Sequence, residues 1–212
     1  MLYLQKGNFQ KVVRWVGGKW MTANQATVAG CVFIILTAAG FYLGLTCRRL
    51  HWLLLLVPLF LLLRMVMNTL DGMLSRERGN ATVAGEIWNE TLDIVGDTIC
   101  YGSLFFVPGG PTISLFVFLI LTWAAEFYGV LGKGMPNGIR RHETIGGGKP
   151  DRAVWMAVFA VIVFFYPPFF GYVDYYLIWV SSLVLLTCIL RVKKTIESAK
   201  GAEYKSYTWI GR

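Results

Sequence analysis

Residues 68–97 read NTLDGMLSRERGNATVAGEIWNETLDIVGD, and polar side chains recur through this stretch at helical spacing. Asn89, Asp93 and Asp97 follow one another at intervals of four, so on a helix they lie on one face. A carboxylate beside lipid is costly unless it is paired or binds a cation. A second polar stripe, on the preceding segment, consists of Asn68, Asp71 and Ser75. Two such stripes facing each other predict a metal site inside a helical bundle, with ligands drawn from Asn68, Asp71, Asn89, Asp93 and Asp97. The oxygen-only donor set indicates Mg²⁺ or Mn²⁺.

The composition places these stripes in a membrane. The chain has 212 residues, of which 56% are hydrophobic and 15% aromatic, and this exceeds the usual content of a soluble domain. Six apolar runs are each close to the length of roughly 20 residues that a bilayer core requires. They lie at about 24–46, 52–75, 86–107, 111–132, 152–168 and 170–190. The sequence therefore predicts an all-α integral membrane protein with six transmembrane helices in one domain, a bundle over 24–190 and a cytoplasmic tail over 191–212.

The basic residues indicate the orientation of the spans. If both termini are cytoplasmic, seventeen of the twenty Lys and Arg residues fall on the inner side and two on the outer side. This distribution follows the positive-inside rule. We expect the protein to lie in a bacterial inner (cell) membrane. Because the charges border apolar runs instead of forming one patch, they argue against a nucleic-acid partner.

Residues 1–22 precede the first apolar run. Apolar Phe9, Val12 and Val16 alternate with Lys and Arg at helical spacing. This pattern predicts an N-terminal amphipathic interfacial helix on the inner leaflet, in contact with anionic membrane lipids. Two roles remain open for this helix: a lid over the site, or a simple interfacial anchor.

Two further groups of charges need an explanation. Arg64 lies within an apolar run, four residues before Asn68, and a buried Arg needs a partner or a polar cavity. Either an ion pair between helices, with Glu126 as a candidate partner, or contact with a phosphate satisfies this requirement. The loop over residues 132–152 is basic, which topology alone could explain. The alternative is a phosphate-binding site for an acceptor, formed by Arg140, Arg141, Lys149 and Arg152.

The spacing within residues 68–93 resembles that of the CDP-alcohol phosphotransferase signature. In that family Asp-x2-Asp-Gly-x2-Ala-Arg is followed, after about eight residues, by Gly-x3-Asp-x3-Asp. The residue type matches at Asp71, Gly72, Arg76, Gly85 and Asp93. Asn68 and Asn89 stand where the family has Asp, Ser75 stands where it has Ala, and Asp97 is an additional acid one helical turn further on. Residues 22–25, before the first apolar run, resemble the family's Thr-Pro-Asn segment, and residues 148–152 resemble its later basic loop.

The resemblance implies an enzyme that transfers a phosphatidyl group from a CDP-linked lipid such as CDP-diacylglycerol to a small alcohol, with release of CMP. Mg²⁺ or Mn²⁺ would be the cofactor, and a homodimer the expected assembly. The residues implied to bind the nucleotide are Asp71, Gly72, Ser75, Arg76 and Gly85. Asp93 aligns with the family's last Asp, whose implied role is general base toward the acceptor hydroxyl. Asp97 is either a metal ligand that replaces charge lost at the two Asn positions, or the catalytic base itself.

The acceptor and the level of activity are open. Glycerol 3-phosphate is the preferred acceptor, and inositol phosphate, serine and other head-group alcohols remain alternatives. A second hypothesis is a catalytically reduced membrane protein that binds lipid or transports a small solute. A transporter is expected to carry polar residues through both leaflets, whereas the acids here cluster on one side, which favours the enzyme.

Overall fold

In a computed structural model, the structure describes residues 21–77, 79, 82–135 and 146–200. These residues form six long α-helices and no strand within the described ranges. The helices are α1 (Ala23–Thr46), α2 (Val57–Glu77), α3 (Val83–Gly102), α4 (Ile113–Gly134), α5 (Lys149–Phe165) and α6 (Val173–Ala199). Their order follows the six apolar runs, so the all-helical prediction is confirmed. The predicted interfacial helix over residues 1–22 falls almost wholly outside the described residues.

Several helix boundaries differ from those expected. Residues Arg48–Leu55 form a 3₁₀-helix, and α2 begins only at Val57, five residues after the expected start. Pro58 explains this start, because proline is tolerated in the first turn of an α-helix and not in its interior. The connection expected between Arg76 and Gly85 is shorter, since α2 runs to Glu77 and Gly85 lies in the first turn of α3. At the other end, α6 continues to Ala199, nine residues past the expected end of the last run.

Local sequence signals explain where two of the helices begin. Thr22 caps α1, because its hydroxyl accepts from Gln25 N at 3.2 Å and the Gln25 side chain accepts from Thr22 N at 2.9 Å. Thr82 caps α3 in a similar way, accepting from Gly85 N at 3.0 Å. The cap at Thr82 fixes the start of the helix that carries the second polar stripe.

Within the described ranges, four segments are long and apolar enough to cross a membrane. They are Ala23–Thr46, Val57–Glu77, Ile113–Gly134 and Pro167–Ala199. The segment α3 carries the acids of the second stripe, and α5 has 17 residues, so neither belongs to this set. The expectation of exactly six spans therefore stays a prediction. Large apolar side chains on the outer surface, including Ile113 and Phe116, are exposed as lipid contact requires.

The bundle is held by two extensive helix pairs, α1 with α2 and α4 with α6. In the first pair, glycines of α1 allow close contact with the 3₁₀-helix and with the start of α2. A Cβ at Gly44 would lie 2.9 Å from Leu54 Cγ, and one at Gly40 would lie 3.0 Å from Val57 Cγ2. The helix α3 packs on α1 and α4, while α5 packs on α2. This arrangement brings the polar faces of α2, α3 and α5 into the interior.

Candidate active site

A cavity of about 770 Å³ opens between α1, α2 and α3. Its lining includes all five residues expected to bind a nucleotide, Asp71, Gly72, Ser75, Arg76 and Gly85, together with Asn89. The two halves of the motif meet here because α2 and α3 are joined by a short turn. The motif residues Asn68, Asp93 and Asp97 are not part of this lining.

Asp71 presents its carboxylate to this cavity and is held by hydroxyl groups. Its Oδ2 accepts a hydrogen bond from Thr27 Oγ1 of α1 at 2.7 Å, and its Oδ1 accepts a longer one from Ser75 at 3.4 Å. Within the described ranges no Lys or Arg forms an ion pair with Asp71. The carboxylate therefore keeps its negative charge uncompensated by these residues.

Asp93 lies one helical turn below Asn89 on α3 and is buried. Its Oδ1 accepts from Asn68 Nδ2 at 2.7 Å and also contacts the Lys149 ammonium group. The stripe on α2, the stripe on α3 and the first residue of α5 thus meet at one carboxylate oxygen. Of the residues expected to bind an acceptor phosphate, Lys149 is therefore next to the predicted base.

Asp97 lies one turn deeper and is enclosed by two guanidinium groups. Its Oδ1 accepts from Arg64 Nη1 at 2.7 Å, and its Oδ2 accepts from Arg152 Nη2 at 2.9 Å. The same Arg152 nitrogen donates to Glu126 Oε1 at 2.7 Å. We call Arg64, Asp97, Arg152 and Glu126 the buried charge chain; it links α2, α3, α5 and α4. All four residues are buried.

The charge chain changes two expectations from the sequence. Arg64 was expected to pair with Glu126 or to contact a phosphate; it pairs with Asp97, and Glu126 pairs with Arg152. The expected ion pair between helices is confirmed, but its candidate partner was wrong, because Asp97 and Arg152 lie between Arg64 and Glu126 in the charge chain. Arg152, expected to contact a phosphate, has no exposed surface and also donates to Gly147 O at 3.1 Å.

Gly96 makes the position of Arg64 possible. A Cβ on Gly96 would lie 2.6 Å from Arg64 Nη2 and 2.6 Å from Ile34 Cδ1, inside any normal contact distance. Without that Cβ the guanidinium lies flat against α3, where Nη2 donates to the backbone carbonyl of Asp93 at 3.2 Å. The charge chain is thereby joined directly to the backbone of the residue predicted to act as base.

A tight glycine loop fixes the start of α5. Asp151 Oδ2 accepts from Gly146 N at 2.9 Å and from Gly148 N at 3.2 Å, which caps the helix. Gly146 has a φ of 107°, and a Cβ at Gly147 would lie 2.5 Å from the Cα of Val184 in α6. The glycines thus allow the loop backbone to pack closely against α6. Arg140 and Arg141 lie outside the described residues.

A divalent cation such as Mg²⁺ requires oxygen ligands and room for the water molecules that it retains. In the described part of the chain, no three His, Cys, Asp or Glu side chains are grouped as a metal site. Asp71 and Asn89 offer oxygen atoms to a roomy cavity, which fits Mg²⁺ or Mn²⁺ with part of their water shell retained. At Asp93 an ammonium group and an amide N–H already contact Oδ1. The residues present therefore fit a cation at Asp71 and do not fit one at Asp93 Oδ1.

Sequence reasoning missed two contributors to the cavity. Thr27 holds Asp71 from α1, and Lys133 at the end of α4 contacts Glu86 at the rim. A signal for Thr27 existed, since it is one of the polar residues near the start of α1, but nothing in the spacing identifies its partner. Lys133 was counted among basic loop residues, whereas it belongs to the last turn of α4.

Known proteins resemble this chain in sequence and in fold. No family model matches the chain. The inner membrane protein YnbA of Escherichia coli strain K12 is 34% identical over 201 residues, which cover 92% of this chain and 96% of the relative. The crystal structure of phosphatidylinositol phosphate synthase (PgsA1) from Mycobacterium tuberculosis with CDP-DAG bound superposes with a TM-score of 0.62. The match covers 92% of this chain and 97% of that one at 17% identity.

These matches extend over nearly the whole chain, so they describe the complete bundle and not an isolated motif. The apolar helices and the inner membrane relative support an integral inner membrane protein. The chain belongs to the family of the Escherichia coli inner membrane protein YnbA, and its bundle has the fold of the phosphatidylinositol phosphate synthase PgsA1.

Proposed function

We propose that the protein transfers a phosphatidyl group from a CDP-linked lipid, CDP-diacylglycerol, to a small alcohol and releases CMP. The observation that carries this proposal is the shared cavity, which is lined by all five residues expected to bind the nucleotide. The structural neighbour was crystallised with CDP-DAG bound, and this supports the same class of donor here. The reaction would take place on the side of the bundle where α2 and α3 meet.

The nucleotide would occupy the cavity beside Asp71. Gly72 and Gly85 leave room for it, while Ser75 and Arg76 supply hydrogen-bond donors. Mg²⁺ or Mn²⁺ held by Asp71 and Asn89 would neutralise negative charge on the pyrophosphate and on the departing CMP.

Asp93 is proposed as the general base. The acceptor hydroxyl oxygen forms a bond to the lipid-side phosphorus, and its proton passes to the Asp93 carboxylate. The bond between that phosphorus and the bridging oxygen breaks, and its electron pair leaves with CMP. Asn68 orients Asp93 through the hydrogen bond of 2.7 Å, and Arg64 fixes its backbone carbonyl. The carboxylate is thus aimed before substrate arrives.

Asp97 and Arg152 are proposed as positioning residues. Both carboxylate oxygens of Asp97 already accept hydrogen bonds from guanidinium groups, so neither oxygen points to the cavity. Arg152 has two carboxylate partners and one carbonyl partner. Their contacts support a structural role beneath Asp93, in place of the roles in metal binding, catalysis and acceptor binding first considered for them.

For the acceptor we propose a phosphorylated small alcohol, with glycerol 3-phosphate preferred. Lys149 is 14% exposed at its side chain, which makes it the described basic residue best placed to meet an acceptor phosphate next to Asp93. Arg140 and Arg141 retain the role proposed from sequence. We also propose that both termini are cytoplasmic, that the bundle has six membrane spans and that the protein forms a homodimer.

A catalytically reduced lipid-binding protein is the second candidate. The observation in its favour is the pair of substitutions at Asn68 and Asn89, together with the ammonium group on Asp93. Such a protein would bind CDP-diacylglycerol in the same cavity without turning it over.

The test is product analysis with purified protein in detergent. The protein is incubated with CDP-diacylglycerol, Mg²⁺ or Mn²⁺, and one acceptor at a time from a panel that includes glycerol 3-phosphate, inositol phosphate and serine. Mass spectrometry of the lipid fraction identifies any new phospholipid. One acceptor-dependent product supports the transferase and names its substrate. Binding of CDP-diacylglycerol without any product supports the lipid-binding candidate.

A further inference from the structure

The surroundings of Asp93 are arranged to satisfy its charge without a metal ion. Asn68 Nδ2 lies 2.7 Å from Asp93 Oδ1, while the amide oxygen of Asn68 faces α1, 3.1 Å from the position of a Cβ on Gly30. An aspartate at position 68 would place two carboxylate oxygens at this short distance, and they would need a proton or a cation between them. The amide replaces that repulsion with a hydrogen bond.

The ammonium group of Lys149 contacts the same oxygen. Among the described residues, the ion pairs around Asp93 join three basic residues (Arg64, Lys149 and Arg152) to three acids (Asp93, Asp97 and Glu126). Their formal charges balance. Since buried charges persist where they are paired, this balance removes the electrostatic demand for a divalent ion at Asp93.

The Asp71 end of the site differs in charge and in solvent access. Here the partners are the hydroxyl groups of Thr27 and Ser75, which do not neutralise a carboxylate. The cavity of about 770 Å³ has room for an ion that keeps several water molecules, as Mg²⁺ does. Asn89 lines the same cavity and can add a neutral oxygen ligand.

We propose that this chain binds one divalent cation, at Asp71 and Asn89, and that the Lys149 ammonium group takes the place of a second cation at Asp93. This assignment rests on the proposed function, because the pyrophosphate of the donor supplies the negative charge that the cation neutralises. When the acceptor is bound, the ammonium group exchanges Asp93 for an oxygen of the acceptor phosphate. Asp93 is then free to accept the proton of the acceptor hydroxyl.

The test counts bound Mn²⁺ ions by electron paramagnetic resonance on the purified full-length protein in detergent, without substrate. The variants are Asp71→Asn, Asp93→Asn and a triple variant that combines Asn68→Asp, Asn89→Asp and Lys149→Met. Glu197→Gln is the matched control, because it removes an exposed acid on α6. Size-exclusion chromatography and circular dichroism verify that each variant is folded.

The wild-type protein is expected to bind one Mn²⁺ with the signal of an isolated ion. Asp71→Asn should weaken binding by about 10-fold or more, since even outer-shell changes cost about that much. Asp93→Asn and Glu197→Gln should each change the affinity by less than about 3-fold, well below that ligand-loss effect. The triple variant should bind two ions whose signals are coupled.

Three results would overturn the inference: two coupled ions in the wild type, no Asp71-dependent ion, or equal losses of affinity in Asp71→Asn and Asp93→Asn. The ion count is measured without substrate, so it is independent of turnover. One bound ion in a protein that forms no phospholipid would therefore contradict the proposed function and leave the assignment of the cation site intact.

Discussion

Removal of the Asp97 carboxylate tests the buried charge chain. Asp97→Ala leaves Arg64 and Arg152 in the bundle without the oxygens that accept from them at 2.7 and 2.9 Å. Arg152 keeps Glu126, whereas Arg64 keeps only neutral partners, the Asp93 carbonyl and the Cys100 thiol. Breaking a buried ion pair by removing one partner costs about 3–5 kcal/mol. We expect the free energy of unfolding to fall by that amount.

Two further variants separate charge from packing. Asp97→Asn keeps the shape and one acceptor oxygen, so the expected loss is smaller, about 1.5–3 kcal/mol for one charged hydrogen bond. The double variant Arg64→Met with Asp97→Leu removes both members of one pair and leaves Arg152 paired with Glu126. Because an apolar replacement of a buried ion pair is often neutral, the double variant should recover most of the stability lost in Asp97→Ala.

The assay is equilibrium unfolding in mixed detergent micelles, followed by circular dichroism and tryptophan fluorescence. The reasoning would be refuted if Asp97→Ala cost less than about 1 kcal/mol, the range of exposed ion pairs. It would also be refuted if the double variant were no more stable than Asp97→Ala. Mn²⁺ affinity provides a second readout: a positioning residue leaves it unchanged in Asp97→Asn, whereas a metal ligand does not.

Three more substitutions follow from close contacts at the site. Gly96→Ala should displace Arg64, because its Nη2 would lie 2.6 Å from the new Cβ. The base would then be misplaced, and initial rates should show turnover lowered by roughly 10-fold. Gly147→Ala should force the loop away from α6 and destabilise the fold by about 1–3 kcal/mol, measured by unfolding in detergent. Thr27→Val should free Asp71 from its 2.7 Å hydrogen bond and weaken Mn²⁺ binding about 10-fold, measured by spin resonance. An unchanged turnover rate in Gly96→Ala, an unchanged stability in Gly147→Ala or an unchanged Mn²⁺ affinity in Thr27→Val would contradict the corresponding expectation.

Much of the fold followed from hydrophobic periodicity. Each apolar run produced one long helix in the expected order, because burial along a helix face depends on local spacing alone. The resemblance to the CDP-alcohol phosphotransferase signature also implied that Asp71, Gly72, Ser75, Arg76 and Gly85 bind one nucleotide and so share a location. They line one cavity.

The pairing of charges across the bundle could not be read from spacing. Whether Arg64 meets Asp97 or Glu126 depends on how the helices that carry these residues pack together, and the sequence does not specify that arrangement. The same holds for Thr27 and Asp71, which are separated by 44 residues. Helix ends were missed where a 3₁₀ segment replaced an α-helix, as at Arg48–Leu55.

The central claim is that Asp93 performs chemistry on a CDP-linked lipid held beside Asp71. The most direct measurement is CMP release from CDP-diacylglycerol, with divalent cation and acceptor present, for the wild type, Asp93→Asn and the control Glu197→Gln. The account predicts cation-dependent release that falls by roughly 100-fold or more in Asp93→Asn, the contribution of a general base. The control should match the wild type. Equal release from all three proteins, or none from folded wild-type protein with any acceptor, would contradict the account.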